Sequence, residues 1–294
     1  MRLILGTAGV GDRTPASAFA CVVERAVERG FRWFDTADLY AAGRAEEILG
    51  ACVARRRDDV RIATKIGYGD VGGSGVGPRL VTALDASLRR LGVDAVDLVQ
   101  VHEWGAGWDA GEVLDALAGM VDAGKAHAIG ASRLSAEELA AFAAGARERG
   151  LDPGPVQMPA NVLAPLDPAW RGAATAAGVD VWAVSVLAGG FLAERGPSRP
   201  EPPAGSRFAA NATYRRLYWR PEQFARREAL GAIADELGMS LAHLALAWFV
   251  ATGGAEGLVV GADSPEQLDG ILEGLERRLP ADAVTRIEAV VRDR

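Results

Sequence analysis

The feature that most constrains the fold of this chain is a regular alternation of short apolar runs and longer amphipathic stretches. Eight of the runs have the length and β-branched content of buried strands, and helical patterns separate them. They are Arg2–Gly6, Phe31–Asp35, Val60–Lys65, Val96–His102, Ala126–Ser132, Pro155–Met158, Val179–Ser185 and Gly257–Gly261. Because strands joined by helices are typical of a parallel sheet, eight such units in 294 residues predict a single-domain (β/α)8 barrel over residues 1–294.

Capping residues indicate where several of the helices begin. Thr14 is a predicted N-cap, since Pro15 follows it at a position suited to the first residue of a helix. Ser135 and Glu138 have the spacing of a capping box, and Ser240 opens a further apolar helical stretch. These signals place helices between the predicted strands, as the barrel requires.

Composition excludes several classes of function. The net charge is −7 and no long basic run is present, so we expect no nucleic-acid partner. No segment has the roughly 18 consecutive apolar residues of a membrane span, and no signal peptide is predicted. Cys21 and Cys52 lack metal-ligand spacing, which is typical of a reducing compartment. We expect a cytoplasmic monomer or small homo-oligomer that has no membrane partner and no metal site.

Polar residues follow three consecutive predicted strands, at the ends where barrel enzymes carry their chemistry. Asp35 ends the second strand, Lys65 the third and His102 the fourth, while Tyr40 lies in the loop just after Asp35. Any one of them alone is more often part of a surface ion pair or a loop aromatic. All four together form a coherent set, which favours a catalytic role.

The four side chains are suited to proton transfer. A tyrosine has an unperturbed pKa near 10, and a nearby ammonium favours its phenolate form. Lys65 is the candidate ammonium, with Asp35 holding it charged and in place, and His102 is a candidate donor to a carbonyl oxygen. This arrangement predicts a proton donor matched to the hydride reduction of an aldehyde or ketone.

Six segments give the chain a resemblance to a known family. The segments are FDTADLYAAGRAEEILG, ATKIG, VDLVQVHEW, GKAHAIGAS, SVLAGGFL and VVGADSPEQLDGIL. In order and spacing they resemble the aldo-keto reductase superfamily, and the first also resembles its potassium-channel β-subunit branch. The resemblance implies that Tyr40 is the general acid/base, Lys65 and Asp35 tune it, and His102 orients the substrate. It also implies a nicotinamide cofactor and a small carbonyl or alcohol substrate.

The resemblance further implies a set of cofactor-binding positions. Ser132 and Gln157 would hold the nicotinamide carboxamide, and the backbone around Ser185, Leu187 and Gly189 would pass the pyrophosphate. The adenosine end would lie against Gly261, Asp263, Ser264 and Gln267, with Ser264 at the start of a helix whose free amides favour a phosphate. Four positions depart from the family pattern: Arg133, Val184, Asp263 and Ile271. Arg133 replaces the usual asparagine after the serine, and Asp263 replaces a basic residue. The resemblance makes NADP(H) the first expectation, and Asp263 leaves NAD(H) open because an anion there would repel a 2′-phosphate.

The substrate side is predicted less sharply. Residues 189–220 form a long Gly/Pro-rich segment, which indicates either a lid or a disordered insert, and its aromatic end favours a lid. Tyr218 in that segment is a candidate substrate contact, as are Trp104 and Trp108, which follow His102.

Alternatives remain open. Gly67–Gly72 matches the dinucleotide motif G-x-G-x-x-G, but helical periodicity starts only near Arg79, so a flexible loop is the better interpretation. The chain could be a nicotinamide-binding module that docks to another protein rather than an enzyme. A weaker alternative is a barrel enzyme of different chemistry that uses the last strand end for a phosphorylated substrate.

Overall fold

The computed structural model describes residues 1–69, 75–105, 107–193 and 201–292. Eight strands pair in chain order, and β8 pairs with β1 to close a parallel barrel. The strands are β1 Arg2–Gly6, β2 Trp33–Asp35, β3 Arg61–Ile66, β4 Leu98–Val101, β5 Ile129–Ser132, β6 Pro153–Pro159, β7 Val181–Val184 and β8 Gly257–Val260. The predicted (β/α)8 barrel is confirmed.

Helices follow the strands in the alternation that the sequence predicts. In the described part of the chain they are α1 Ala16–Glu28, α2 Arg44–Val53, α3 Val76–Leu91, α4 Ala110–Asp122, α5 Ala136–Glu148, α6 Pro168–Ala176, α7 Arg207–Ala210, α8 Ala212–Tyr218, α9 Pro221–Glu236, α10 Leu241–Thr252, α11 Pro265–Glu276 and α12 Ala281–Arg292. Short 3-10 turns occupy Tyr40–Gly43, Ala54–Asp59 and Ala188–Gly190.

Two of the three predicted helix starts are confirmed. Ser135 and Glu138 form a complete capping box at α5, and the Ser240 hydroxyl accepts from the His243 amide at α10. The prediction for Thr14 is wrong, because Pro15 is the N-cap of α1 and no side chain caps that helix. The Thr14 hydroxyl instead donates to the Asp263 carboxylate, a partner 249 residues away that no local pattern could indicate.

Seven of the eight strands have boundaries that differ by one to three residues from the prediction, and β1 matches it. The second strand begins at Trp33 rather than Phe31, and the sixth extends to Pro153–Pro159. Prolines are unusual inside a sheet because they lack an N–H donor, yet both ends of this strand are prolines. A register irregularity between Ile129 and Ala131 of β5 accommodates the extra residues of β6.

The chain divides into two compact units. The first comprises Met1–Met158, Asp167–Trp182 and Ala255–Pro265, and the second comprises Pro159–Leu166, Ala183–Gly254 and Glu266–Arg294. In the first unit, Ile4, Ala63, Leu98 and Trp182 form a fully buried cluster. The second unit is organised around Phe191, a buried ring within 6.1 Å of four other aromatic rings by centroid distance. The expectation of a single domain stays a prediction.

The Gly/Pro-rich segment is described over residues 189–193 and 201–220. It contains α7 and α8, and Phe208 and Tyr218 from these helices are buried against Phe191. Residues 194–200, the centre of the predicted lid, lie outside the described residues, as do Asp70–Gly72 of the glycine motif. Helix α3 begins at Val76, three residues before the predicted Arg79.

Among the described residues, no single helix is long and apolar enough to cross a membrane. Helices α9 and α10 have the length and apolar composition of a membrane span only when they are taken together, and a bend of 88° separates them.

Candidate active site

A buried ion pair forms the centre of the candidate site. Lys65 Nζ lies 2.6 Å from Asp35 Oδ2 and donates to the Thr36 carbonyl at 2.8 Å. The two side chains are only 2% and 3% exposed. Burial by itself lowers the pKa of Lys65, but the charges of Asp35 and Tyr40 and the hydrogen bonds to both outweigh it and raise that pKa. Lys65 therefore stays an ammonium at physiological pH.

Tyr40 lies against this ammonium. Lys65 Nζ lies 5.2 Å from the centre of the Tyr40 ring, and the charge and hydrogen bonding of Tyr40 are among the causes that raise the pKa of Lys65. The ring meets His102 edge-on, with the centroids 5.8 Å apart. The structure thus brings together all four residues that the sequence proposed as the catalytic set.

The turn that carries Tyr40 is held in an unusual conformation. Ala41 and Ala42 both have left-handed backbone angles, with φ of 48° and 54°. Gly43 follows with φ of 92°, and a Cβ at this position would lie 2.6 Å from the Arg90 side chain. Left-handed non-glycine residues are costly unless the surroundings impose them, and here the close approach of Arg90 contributes to that constraint.

A buried carboxylate anchors Arg90. Glu46 is completely buried, accepts from Thr64 at 2.6 Å and pairs with Arg90 at 2.7 Å. Burial, followed by the charge of the neighbouring Glu46, raises the pKa of Asp38. Glu46 and Arg90 therefore tie α2, β3 and α3 together beneath the Tyr40 turn. The sequence analysis did not identify them, although an acid in the apolar face of a helix was a usable signal.

His102 is buried and uncharged. Burial, then the positive charges of Lys65 and Arg133, lower its pKa to about 2. Its Nδ1 is buried without a hydrogen-bond partner among the described residues. A neutral imidazole carries one N–H donor and one acceptor, so His102 can offer a single hydrogen bond to a ligand. Tyr68, whose ring centroid lies 5.0 Å away, is a neighbour that sequence reasoning missed.

Gln157 contacts the ion pair directly. Its Nε2 donates to Asp35 Oδ1 at 2.5 Å and to Gln100 Oε1 at 2.8 Å. Ser132, which ends β5, pairs with Gln157 in the strand register and is buried. The predicted cofactor residues Ser132 and Gln157 thus adjoin the predicted catalytic residues. Sequence reasoning missed Gln100, a polar residue in an otherwise apolar buried strand.

Arg133 and Asp263 occupy two of the positions that depart from the family pattern. Arg133 is exposed, has a left-handed backbone with φ of 61°, and donates its amide to the Gln157 carbonyl at 2.9 Å. Asp263 accepts from the Thr14 hydroxyl and lies 3.7 Å from Arg13. Its carboxylate is therefore engaged by the loop that follows β1.

The remaining cofactor positions are distributed over both units. Gly261 and Ser264 lie in the first unit, after β8, and Ser264 directly precedes α11. Ser185, Leu187, Gly189 and Gln267 lie in the second unit. In that unit the Ser185 hydroxyl and the Tyr214 hydroxyl share a hydrogen bond of 2.6 Å, and a Cβ on Gly189 would meet the Tyr214 ring at 2.5 Å.

The predicted substrate residues have different surroundings. Trp104 is half-buried, and its ring centroid lies 6.2 Å from that of Trp108, which is buried. The indole N–H of Trp108 has no partner among the described residues. Tyr218 is buried in the second unit, where its hydroxyl accepts from Asn161 at 2.9 Å.

Backbone strain gives an independent indication of where function lies. In the described ranges, the non-glycine residues with positive φ are Ala41, Ala42, Arg133, Ser185 and Ala188. Each follows the carboxyl end of a barrel strand: β2, β5 or β7. Such strain is concentrated at active and binding sites in proteins, and these are the loops in which a barrel carries its chemistry.

A depression at the amino ends of the strands is a weaker candidate. It has a volume of about 470 Å³ and is lined by residues that include Arg57, Arg61, Asp97 and His127. Its two arginines already pair with Asp97, at 2.8 and 3.2 Å. This arrangement stabilises the ends of β3 and β4 and suggests no chemistry.

Comparisons with known proteins agree with the geometry. Residues 2–292 match the model of the aldo/keto reductase family. A probable voltage-gated potassium channel subunit beta from Oryza sativa subsp. japonica is 30% identical over 97% of this chain and 90% of that protein. The protein with the same description in Arabidopsis thaliana is 30% identical over 90% of this chain and 84% of its own length. The uncharacterized oxidoreductase YrpG of Bacillus subtilis is 28% identical over 98% of this chain and 91% of its length.

Proposed function

The chain belongs to the aldo/keto reductase family of oxidoreductases, and on this premise we propose that it reduces an aldehyde or ketone to an alcohol, or catalyses the reverse, with a nicotinamide dinucleotide. The observation that carries the proposal is the buried ammonium of Lys65, which donates to Asp35 and lies 5.2 Å from the centre of the Tyr40 ring. A cation with no access to water is costly, and this one lies beside a phenol. Such a pair is suited to moving a proton.

Tyr40 is the proposed proton donor. The adjacent ammonium stabilises the phenolate that is left when the hydroxyl proton moves to the carbonyl oxygen of the substrate. Asp35 keeps the ammonium in place, since it accepts from Lys65 at 2.6 Å. Lys65 itself stays protonated, because its pKa is raised, and its role is electrostatic.

His102 is the proposed orienting residue. With a pKa of about 2 it is neutral at physiological pH, so it does not act as the acid. We propose that it offers one N–H to the carbonyl oxygen, and its edge contact with Tyr40 supports a hydrogen bond beside the phenol. Tyr40 and His102 would therefore approach the same oxygen.

The residues present fit a nicotinamide dinucleotide. The buried Nδ1 of His102 lacks a partner among the described residues, and the exposed guanidinium of Arg133 is close enough to lower the pKa of His102. We propose that the cofactor is held by Ser132, Arg133, Gln157, Ser185, Leu187, Gly189, Gly261, Asp263, Ser264 and Gln267. When bound, the cofactor supplies or accepts the hydride. Ser264 would offer the start of α11, a helix of 12 residues, to a phosphate.

NADP(H) is the first choice by family, and Asp263 is the residue that tests it. A carboxylate beside a 2′-phosphate would repel it, whereas a 2′-hydroxyl could donate to it. We expect Asp263→Asn to raise the affinity for NADPH relative to NADH by about tenfold, measured by titration of protein fluorescence. Asp12→Asn removes one charge from an exposed position of the loop after β1, which contacts Asp263 through Thr14, and is the matched control. An unchanged affinity ratio would exclude Asp263 from the adenosine site.

Replacement of Tyr40 tests the proton donor. We expect Tyr40→Phe to lower kcat for aldehyde reduction by about 10³-fold while the affinity for NADPH stays within about twofold, because only the transferable proton is lost. Tyr68→Phe removes a hydroxyl from the other ring against His102 and should retain most of the turnover. Full activity in Tyr40→Phe would refute the assignment.

A second candidate function is a nicotinamide-binding module that docks to another protein. Two plant relatives at 30% identity, each described as a probable potassium channel subunit beta, favour it. Steady oxidation of NADPH with a panel of aldehydes would support the enzyme. Tight NADPH binding without turnover on any aldehyde or ketone would favour the binding module.

A further inference from the structure

We infer that Gln100 is a positioning residue, which fixes the orientation of the Gln157 amide and thereby holds Asp35 in place for Lys65. The inference deepens the proposed function and rests on it for the link to catalysis. Gln100 lies in β4 and is completely buried, and Gln157 in β6 is 2% exposed. Neither the sequence analysis nor the family resemblance gives Gln100 a role.

A continuous chain of hydrogen bonds connects these residues. Gln100 Nε2 donates to the Pro155 carbonyl at 3.2 Å and lies 3.5 Å from the Ala131 carbonyl. Gln100 Oε1 accepts from Gln157 Nε2 at 2.8 Å, and the same nitrogen donates to Asp35 Oδ1 at 2.5 Å. The other oxygen of Asp35 accepts from Lys65.

The donors and acceptors in this chain permit one arrangement. Backbone carbonyls only accept, so the nitrogen end of Gln100 must face Pro155 and its oxygen end must face Gln157. Gln157 must then present its nitrogen, whose two hydrogens are used by Gln100 and Asp35. The Oε1 of Gln157 is left as the one polar side-chain atom that this residue can offer to a bound N–H donor.

The backbone is shaped to supply the first acceptor of the chain. The register irregularity between β5 and β6 brings the Pro155 carbonyl toward Gln100. Gly130 makes room for this approach, since a Cβ there would lie 2.6 Å from the Pro155 oxygen and 3.1 Å from Gln100 Cγ. A β-bulge next to an active site commonly redirects a group in this way.

Loss of the Gln100 amide would release this constraint. One hydrogen of Gln157 Nε2 would then lack a buried acceptor, and Asp35 alone would hold the amide in place. The contact that Gln157 makes with the Asp35–Lys65 pair would be held less firmly, and the direction of Gln157 Oε1 would be less sharply set. Gln100 would therefore influence the site only through Gln157.

A double-mutant cycle tests this dependence. Gln100→Met should weaken NADPH binding about tenfold in the natural sequence, and less than about twofold when Gln157 is already Met. Leu98→Met, in the same strand and equally buried, places the same side chain in the core without removing an amide, and it should leave the NADPH affinity unchanged. Equal losses from Gln100→Met in both backgrounds would overturn the inference.

A conservative variant adds a readout that simple packing damage would not give. In Gln100→Glu, a protonated carboxyl can donate to Pro155 and accept from Gln157, whereas an ionised one cannot donate. Burial favours the protonated form. We expect its NADPH affinity, relative to that of the unsubstituted protein, to recover as the pH falls from about 8 to about 6, with no such recovery in Gln100→Met. A pH-independent deficit in Gln100→Glu would count against the inference.

Failure of the proposed function can be distinguished from failure of the inference about Gln100. If the unsubstituted protein binds no NADPH, the nicotinamide function is refuted, and the same cycle measured by urea unfolding still decides the hydrogen-bonded chain. Coupled effects on the unfolding midpoint would support an orientation of Gln157 imposed by Gln100. Additive effects would overturn it.

Discussion

Two buried regions of this molecule are held together by opposite means. In the first unit, Gln100, Gln157, Asp35 and Lys65 are at most 2% exposed and are linked by directional hydrogen bonds. In the second unit, Phe191 is equally buried but is surrounded by the rings of Phe208, Tyr218, Trp219 and Phe224. Arg227 covers Phe191 and Phe224, 4.7 Å from each ring centroid.

The difference between polar and aromatic contacts determines which role each region is suited to. Aromatic packing tolerates small shifts, because contacts between rings have shallow and broad minima. A buried polar chain tolerates few, because a lost partner leaves a charge or an amide without compensation. The polar region is therefore suited to holding atoms for proton transfer, and the aromatic region to anchoring the segment that follows β7.

The largest effect is expected from removal of the buried cation. Lys65→Met leaves the Asp35 carboxylate without its ion-pair partner, so we expect a loss of about 3–5 kcal/mol in the free energy of unfolding and a loss of turnover. Urea denaturation and an aldehyde reduction assay measure the two. Lys125→Met is the matched control, since its pair with Asp85 has the same 2.6 Å distance but is about one-third exposed. That variant should lose less than about 1 kcal/mol, and equal losses would show that burial does not distinguish the pairs.

A smaller effect is expected at the centre of the aromatic cluster. Phe191→Ala removes the ring that the others contact, so we expect a loss of about 3 kcal/mol in the free energy of unfolding, the same at pH 5 and pH 7. Leu217→Ala, at a position 51% exposed in α8, should change it by less than about 0.5 kcal/mol. A loss in Phe191→Ala that varies with pH would contradict the purely apolar account.

The smallest effect is expected from titration of His102. The folded protein keeps this imidazole neutral, with a pKa of about 2, whereas the unfolded chain protonates it near pH 6.5. Its stabilising contribution is full above pH 6.5 and is lost as the pH falls. When the pH falls from 7 to 5, the free energy of unfolding of the natural sequence should decrease by about 2 kcal/mol more than that of His102→Gln. Phe191→Ala should follow the natural sequence, and parallel curves for all three proteins would refute the buried neutral histidine.

Much of the barrel and its central residues could be predicted from local patterns. The predicted bounds of β1, Arg2–Gly6, are those of the structure. The prediction also placed Asp35, Lys65 and His102 at the ends of consecutive strands. Alternation of apolar runs with capped helices is a pattern between near neighbours, so it can be recognised from the sequence alone. The boundaries of β6 did not follow from local signals, because its prolines are accommodated by an irregularity in its partner strand.

The missed residues were those whose role depends on distant partners. Gln100, Glu46 and Tyr68 each lie in a segment that carries a motif, but no pattern within that segment gives the residue a role. Gln100 was the most accessible of them to sequence reasoning, since an amide in a fully buried strand must have hydrogen-bond partners. Thr14 was misassigned for the same reason, because its partner Asp263 lies near the other end of the chain.

The sequence by itself determined the order of strands and helices and the kinds of side chain at the strand ends, because apolar periodicity and helix capping act between near neighbours. The tertiary structure alone decided which atoms bond: Lys65 to Asp35 across 30 residues, and Gln157 to Asp35 across 122. Closure of the barrel brings these groups together and removes water from them. Because a buried polar group without its partner is costly, burial then favours one set of hydrogen bonds and ion pairs.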